Sequence, residues 1–580
     1  MAIYVKRVLS FLKPYKLPII IAYSLTLLEL AADLLLPFLL GKMINEGIKT
    51  HDLNYVITWG SIMIAISLFT LIIGLINSFY ASHTSNSFAY DLRKTLFDKI
   101  QQFSFSNLSK YPTSALVTRF TNDVRQVQNT VFMGLRVMVR APLIVLGGVI
   151  MAFVVNARLA LIFLVTVPLL IGFIFWVLRH ASRMFNRVQT FVDTVNRVMQ
   201  ENLANMRLIK AFVRRDHEAD RFVVANRNLA VMTRKAFRFV EASMPILLFI
   251  MNLSIIFILW FGNVQSVAGQ TEVGDVVAVV NYALRTSMAI SMFTFITLAF
   301  SRAKASSERI AKVLDEPIDM IEHKQSSDKK QPLTGNITFE SVSFAYPNMT
   351  QHALTDLTFT IDPEEHVAIL GSTGSGKTTM FQLIPRLYDT TKGEILFNDI
   401  SIKQFPLKTL REQIGYVPQN PLLFSGSIAE NISWGKEQAT KEEIIQAATD
   451  AQIHDMIEKL PDQYDTKIGQ RGVNLSGGQQ QRLSIARALI RQPKILMFDD
   501  STSALDLATE ARLLEALEKY DCTVLMITQK ISTALRADRI LLLDNGKIVA
   551  FDTHENLMKT SEMYQHIFES QYREEMSHVN

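Results

Sequence analysis

The sequence predicts a multidomain membrane protein: an all-α domain of six transmembrane helices with long cytosolic helix extensions, followed by an α/β domain. Three observations carry this. Apolar residues make up 49% of the 580-residue chain and charged residues only 19%, below the roughly 25% usual for soluble domains. Apolar runs lie near 17–41, 55–80, 133–156, 158–179, 243–264 and 274–300, each long enough for the ~20 residues that span a bilayer. Beyond about residue 336, apolar strand-like runs alternate with helical patterns.

The net charge of +5 hides two opposite parts. Residues 1–320 hold 33 Lys+Arg against 19 Asp+Glu, and the remainder holds 26 against 35. A basic excess confined to the hydrophobic part suits loops beside an anionic leaflet and argues against nucleic acid as a partner. The single cysteine, Cys522, excludes an intrachain disulfide and a thiolate metal cluster.

In chain order, Tyr4 to Phe11 reads as a short amphipathic helix on the membrane surface. The first span is too long, and too broken by Pro18, Glu29 and Asp33, for a cleaved signal peptide. Lys6, Arg7, Lys13 and Lys16 precede it, and basic residues crowd the segments 82–132 and 180–242. The opposite loops hold little more than Lys49 and Arg158. This asymmetry puts both termini and both long segments in the cytosol. Those segments read as helices running on beyond the bilayer. They break at Ser109-Lys110-Tyr111-Pro112-Thr113 and near Asn205-Met206-Arg207, forming either plain solvated hairpins or a contact surface for the rest of the chain. Glu29 and Asp33 stand one helical turn apart in the first span. Such acids pair with a base such as Arg285, lie near the outer water interface, or form an acidic patch for cationic cargo.

A polar, turn-rich linker is expected over 315–335, and the second domain over 336–580. A strand from His366 runs into Gly371-Ser372-Thr373-Gly374-Ser375-Gly376-Lys377-Thr378-Thr379. Glycines at this spacing let backbone N–H groups wrap phosphates at a helix N-terminus. Lys377 then reaches the β/γ-phosphates and the Thr378 hydroxyl ligates Mg²⁺. The apolar strand Lys494 to Phe498 ends in Asp499-Asp500, which suits Asp499 for Mg²⁺ through water. Between them, Leu475-Ser476-Gly477-Gly478-Gln479 opens a helix as a second anion nest. With one cradle already present, its natural use is to close over the nucleotide of a second copy or partner.

Together these motifs resemble the ATP-binding cassette (ABC) exporters, in the half-transporter form with the membrane part (1–314) first and an α/β P-loop cassette second. Leu475–Gln479 matches the LSGGQ signature in full. Tyr346 matches the aromatic that stacks on adenine, Gln419 the glutamine loop that touches Mg²⁺, and Ser503-Ala504-Leu505-Asp506 the loop at the dimer interface. The resemblance places coupling helices near 105–118 and 203–213, and implies ATP and Mg²⁺ as ligands. Two departures stand out. The family's catalytic Glu is Asp500 here, and its switch His is Gln529. Asp is one methylene shorter, and a placement error of about 1 Å can lower a rate on the order of 100-fold. Gln529 donates a hydrogen bond but carries no imidazolium charge. Gln470 stands where exporters often have Glu.

Since the family builds each site from the Walker motifs of one chain and the signature of the other, these changes resemble the degenerate-site subunit of bacterial heterodimeric multidrug exporters. The resemblance implies a second half-transporter as partner, a hydrophobic small-molecule cargo and a bacterial plasma membrane. The alternatives are a homodimeric lipid or peptide exporter and a regulatory ATP-binding subunit. A leader-trimming peptide exporter is disfavoured, because the first span begins almost at residue 1.

Overall fold

The computed structural model describes residues 2–320, 334–347 and 349–579; residues 321–333 of the expected linker lie outside the described residues. The chain forms two compact units, Met1–Gln101 with Thr113–Glu316, and Gln102–Pro112 with Pro317–Asn580.

The first unit is all helix: α1 (Ala2–Leu9), α2 (Lys16–Lys42), α3 (Leu53–Gln101), α4 (Phe105–Ser109), α5 (Thr113–Thr118), α6 (Val124–Met133), α7 (Val139–Val155), α8 (Ala157–Ala204), α9 (Met206–Ala211), α10 (Arg215–Val267) and α11 (Val273–Leu314), with α4 assigned to the second unit. Six continuous helical stretches among them are long and apolar enough to cross a membrane. Their outer faces are apolar: Leu68, Phe69, Phe175 and Phe249 are all more than half exposed, as lipid contact requires. Helix α8 packs along α10, α2 along α3, and α7 along α11. Where α2 meets α11 the backbones touch. A Cβ at Gly274 would come within 2.1 Å of the Gly41 carbonyl oxygen, so small residues set that spacing. A π-helical turn, Gly134–Met138, joins α6 to α7; such turns mark local function more often than chance.

The two sequence breaks appear as short helices. Ser104 caps α4 reciprocally with Asn107, and α9 lies between Asn205 and Phe212. The expectation grouped 102–112 with the membrane domain. By its contacts this segment clusters with the second unit: Asn107 Nδ2 donates to the Pro317 carbonyl (2.9 Å), Ser106 donates to Asp319 (2.8 Å), and the rings of Phe105 and Tyr388 lie 6.1 Å apart. These contacts attach α4 to the second unit.

The second unit contains β1 (Ile337–Phe344), β2 (Leu354–Ile361), β3 (His366–Leu370), β4 (Lys392–Phe397), β5 (Ile400–Ser401), β6 (Ile414–Val417), β7 (Gly426–Ser427), β8 (Lys467–Ile468), β9 (Ile495–Asp499), β10 (Thr523–Ile527), β11 (Arg539–Asp544) and β12 (Lys547–Asp552). An antiparallel sheet runs β2-β1-β4-β5 and a six-stranded sheet runs β12-β11-β3-β10-β9-β6. In the second sheet β11, β3, β10, β9 and β6 are parallel. Strands β9 and β10 are buried throughout, which is why they read as unbroken apolar runs. Their side chains alternate between two cores: Met497, Leu525 and Ile527 face one, Leu496, Phe498, Val524 and Met526 the other. Parallel strands end together, so the loops after β3, β9 and β10 converge at one edge.

Candidate functional site

The loop after β3 is shaped by its glycines. Gly374 and Gly376 have φ of +85° and +102°, a region that side-chain-bearing residues avoid. A Cβ at Gly376 would also meet the Ala353 carbonyl oxygen at 2.9 Å. Gly376 is the N-cap of the helix Lys377–Leu383, whose first N–H groups have no partner within the helix. Lys377 Nζ folds back on the loop, donating to the carbonyls of Gly371 and Ser372 at 2.8 Å each. Burial pushes its ammonium below the usual lysine range, against the opposing pull of Asp500 and Asp499.

Asp499 ends β9. The Thr378 hydroxyl donates to its Oδ1 (2.9 Å) and the Tyr416 hydroxyl to its Oδ2 (3.0 Å). Burial raises the Asp499 carboxyl above its ordinary value, opposed by those two donors. Asp500 follows at φ +48°. Its Oδ2 accepts from two amides, Gln419 Nε2 at 3.2 Å and Gln529 Nε2 at 3.0 Å. The Tyr346 hydroxyl pairs with Thr379 Oγ1 (2.9 Å) and donates to Gln382 (3.1 Å).

These groups line a cavity of about 550 Å³, the size range of ligand pockets. Of the sequence-selected residues it brings together Tyr346, Thr373, Gly374, Gly376, Lys377, Thr378, Thr379, Gln419, Asp499, Asp500 and Gln529. Gly371, Ser372 and Ser375 are in the same loop but absent from the described lining: a Cβ at Gly371 would strike the Leu543 carbonyl oxygen at 2.1 Å, and Ser372 donates to Asp544. Ser476, Gly477, Gly478, Gln479 and Asp506 are absent from the described lining. Ser476 caps the helix Gly477–Leu489 in a capping box with Gln479, and a Cβ at Gly477 would meet nothing. Asp506 caps the helix Leu507–Leu517, whose backbone N–H groups hold its carboxyl below the ordinary value.

The donor set fits a magnesium–phosphate group. A hydroxyl and a carboxylate 2.9 Å apart offer the few oxygen ligands Mg²⁺ takes from protein when phosphates and water complete its shell. Gln419 is aimed at Asp500 rather than Asp499. Among the described residues no cluster of three His, Cys, Asp or Glu side chains forms an all-protein metal site.

Sequence reasoning missed two supports. Tyr416 sits inside the glutamine-loop run, yet its bond to Asp499 needs the β6–β9 pairing. Gln571, in the helix Glu562–Val579, grips the strand end carrying Gln529 from both sides. Its Nε2 donates to the Gln529 carbonyl (2.6 Å), and its Oε1 accepts from the Ile531 N–H (2.8 Å). Beside them, buried Glu510 pairs with Lys530 at 2.6 Å. No local motif announces either contact.

Residues 19–290 match the family described as ABC transporter transmembrane region, and residues 354–503 match the family described as ABC transporter. The chain is 52% identical over 572 residues, 99% of each chain, to YfiB of Bacillus subtilis, an uncharacterized ABC transporter ATP-binding protein. It is 31% identical over 576 residues to YgaD of the same organism, named a candidate multidrug export ATP-binding/permease protein, covering 97% of this chain and 98% of that one. The fold matches a bacterial Atm1-family ABC exporter solved with ATP bound, at a TM-score of 0.80 and 23% identity, over 96% of this chain and 98% of the other.

Proposed function

The chain belongs to the ABC transporters, and from that premise we propose that it is one half of a heterodimeric exporter of hydrophobic or amphipathic compounds. In this reading it spans the plasma membrane of a bacterium, with both termini and the ATP-binding domain in the cytosol. It contributes an impaired ATP site of its own and an intact signature to the site of a partner half-transporter.

The observation that carries this is the state of Asp500. The carboxylate at the general-base position is the short one, and one of its oxygens is held by two amides, from Gln419 and Gln529. The groups this reading assigns to binding line one cavity: the glycine loop, Lys377, Thr378 and Asp499. Lys377 would leave the loop carbonyls for the β/γ-phosphates, and Thr378 and Asp499 would hold Mg²⁺. When bound, that ion would supply neutralisation of phosphate charge. Tyr346 offers its ring face to the adenine. Gln529 donates to the terminal phosphate but delivers no positive charge there. Binding therefore survives while the positioning of the attacking water is weakened. The Ser476–Gln479 helix start, with Ser476 and Gly477 exposed and outside this chain's described cavity lining, is free to close on a partner's nucleotide. The multidrug name carried by YgaD supports an apolar or amphipathic cargo.

ATP-driven uptake of a fluorescent apolar dye into inside-out vesicles tests this. Vesicles holding the chain and its partner should accumulate dye, and vesicles holding this chain alone should not. Full transport by the single chain would replace the heterodimer with a homodimer. Unaltered transport by the partner alone would favour the regulatory reading.

A further inference from the structure

Resting on the proposed export of amphipathic compounds, we infer that the membrane unit holds a binding site for amphipathic anions, built around Arg136 and Arg285. The sequence left three readings of Glu29 and Asp33 open: a place near the outer interface, pairing with a base such as Arg285, or an acidic patch for cationic cargo. The structure shows the pairing, with Arg140 as well as Arg285, and leaves no acidic patch. Glu29, 3% exposed, pairs with Arg140 Nη1 at 2.8 Å. Asp33 pairs with Arg140 Nη2 and, at 3.3 Å, with Arg285. Asn77 adds a 3.5 Å contact to Glu29. Both acids are thus consumed by intramembrane arginines.

A cavity of about 450 Å³ opens beside this cluster, between α2, the α6–α7 segment and α11. Its charged lining is Asp33, Arg136, Arg140 and Arg285. With Glu29 behind it, three guanidinium groups face two carboxylates. The surplus charge falls on Arg136. Among the described residues Arg136 has no carboxylate partner, and its hydrogen bond goes to the Ser78 hydroxyl at 3.3 Å. Arg136 sits in the π-helical turn Gly134–Met138, where the Leu135 carbonyl accepts from the Thr26 hydroxyl at 3.3 Å. The remaining walls are apolar and include Phe132, Ile144, Met288 and Met292. Methionines adapt to varied shapes.

A surplus guanidinium inside a membrane domain is uncompensated charge in a low-dielectric setting. An oxyanion with an apolar tail meets both halves of the need. The carboxylate, sulfate or phosphate takes Arg136 and the free edge of Arg285, and the tail lies on the methionines and Phe132. A cationic amphiphile of the same length would bring like charge to the same walls.

The full chain in nanodiscs of phosphatidylcholine, titrated with decanoate and with decyltrimethylammonium against empty nanodiscs, tests the charge preference. Decanoate should bind at least about tenfold tighter. R136Q should remove that preference, while R136K, which keeps the charge, should retain most of it. Adding phosphatidylglycerol identifies the source of the oxyanion. Competition with decanoate in the native chain but not in R136Q assigns the site to a lipid headgroup. Absence of competition assigns it to a free amphiphile, and either result supports the oxyanion site. Tighter binding of the cation overturns the anion assignment and leaves amphiphile transport standing. Binding of neither overturns both.

Discussion

Two helices of the cassette begin in the same way and end up with different work. The helix Lys377–Leu383 and the helix Gly477–Leu489 both start from glycine-rich turns that aim backbone N–H groups outward. The first has company. Lys377, Thr378, Asp499 and Tyr346 surround it in one cavity. The second satisfies its own end through the Ser476–Gln479 capping box, and it stands outside that cavity. A phosphate cradle is thus defined less by its backbone than by the cation and the acid placed around it. In the proposed reading, a capped helix start of this kind finishes a site built by another chain.

The sharpest way to break this contrast is to remove the distinguishing group from each. Lys377→Ala should weaken ATP binding about 100-fold, the consequence of truncating one member of a desolvated charge pair. A fluorescent-nucleotide titration reads it. Ser476→Ala should leave this chain's own ATP affinity within about twofold, yet lower the ATPase of the two-chain complex on the order of 100-fold, as loss of a transition-state donor does. Equal effects of both substitutions on this chain's affinity would erase the distinction.

Installing the family's Glu and His sharpens it further. The pair D500E and Q529H should raise single-turnover hydrolysis at this chain's site on the order of 100-fold with little change in nucleotide affinity. A smaller effect is expected from the support behind Gln529. Gln571→Ala removes two hydrogen bonds worth about 1 kcal/mol each. Hydrogen exchange at the Ile531 amide should accelerate about tenfold or more, while ATP affinity moves little. The smallest signal is a control on the core. Burial pushes the Cys522 thiol up to about 11. At pH 8 its thiolate fraction is therefore far below that of a free cysteine, and thiol reagents should label it only after denaturation. Rapid labelling of the native chain would show that the β9–β10 core opens easily.

Local patterns were legible in the sequence because their physics is local. A glycine loop between a buried strand and a helix, an apolar strand ending in two aspartates, and a capped signature helix each lie within a dozen residues. The six spans were legible because length and hydropathy alone decide what crosses a bilayer. Contacts between distant residues were not. Arg285, the base the sequence suggested, does pair with Asp33, but Arg140 lies 111 residues from Glu29 and 107 from Asp33, and nothing in helical spacing selects it. Tyr416 reaches Asp499, and Gln571 reaches Gln529, only through tertiary packing. The attachment of α4 to the cassette unit has the same origin, since it depends on Pro317, Asp319 and Tyr388. Asp500 and Gln529 were readable as substitutions, but their shared hydrogen bonding was not.

The central claim is that this chain binds ATP well and hydrolyses it poorly unless joined to a partner. Steady-state ATPase of the purified chain in lipid, alone and in a one-to-one complex with its partner half-transporter, tests it most directly. Little turnover alone and robust turnover in the complex is the predicted result. Robust turnover by the chain alone would show that Asp500 and Gln529 suffice for the chemistry, and would contradict the account.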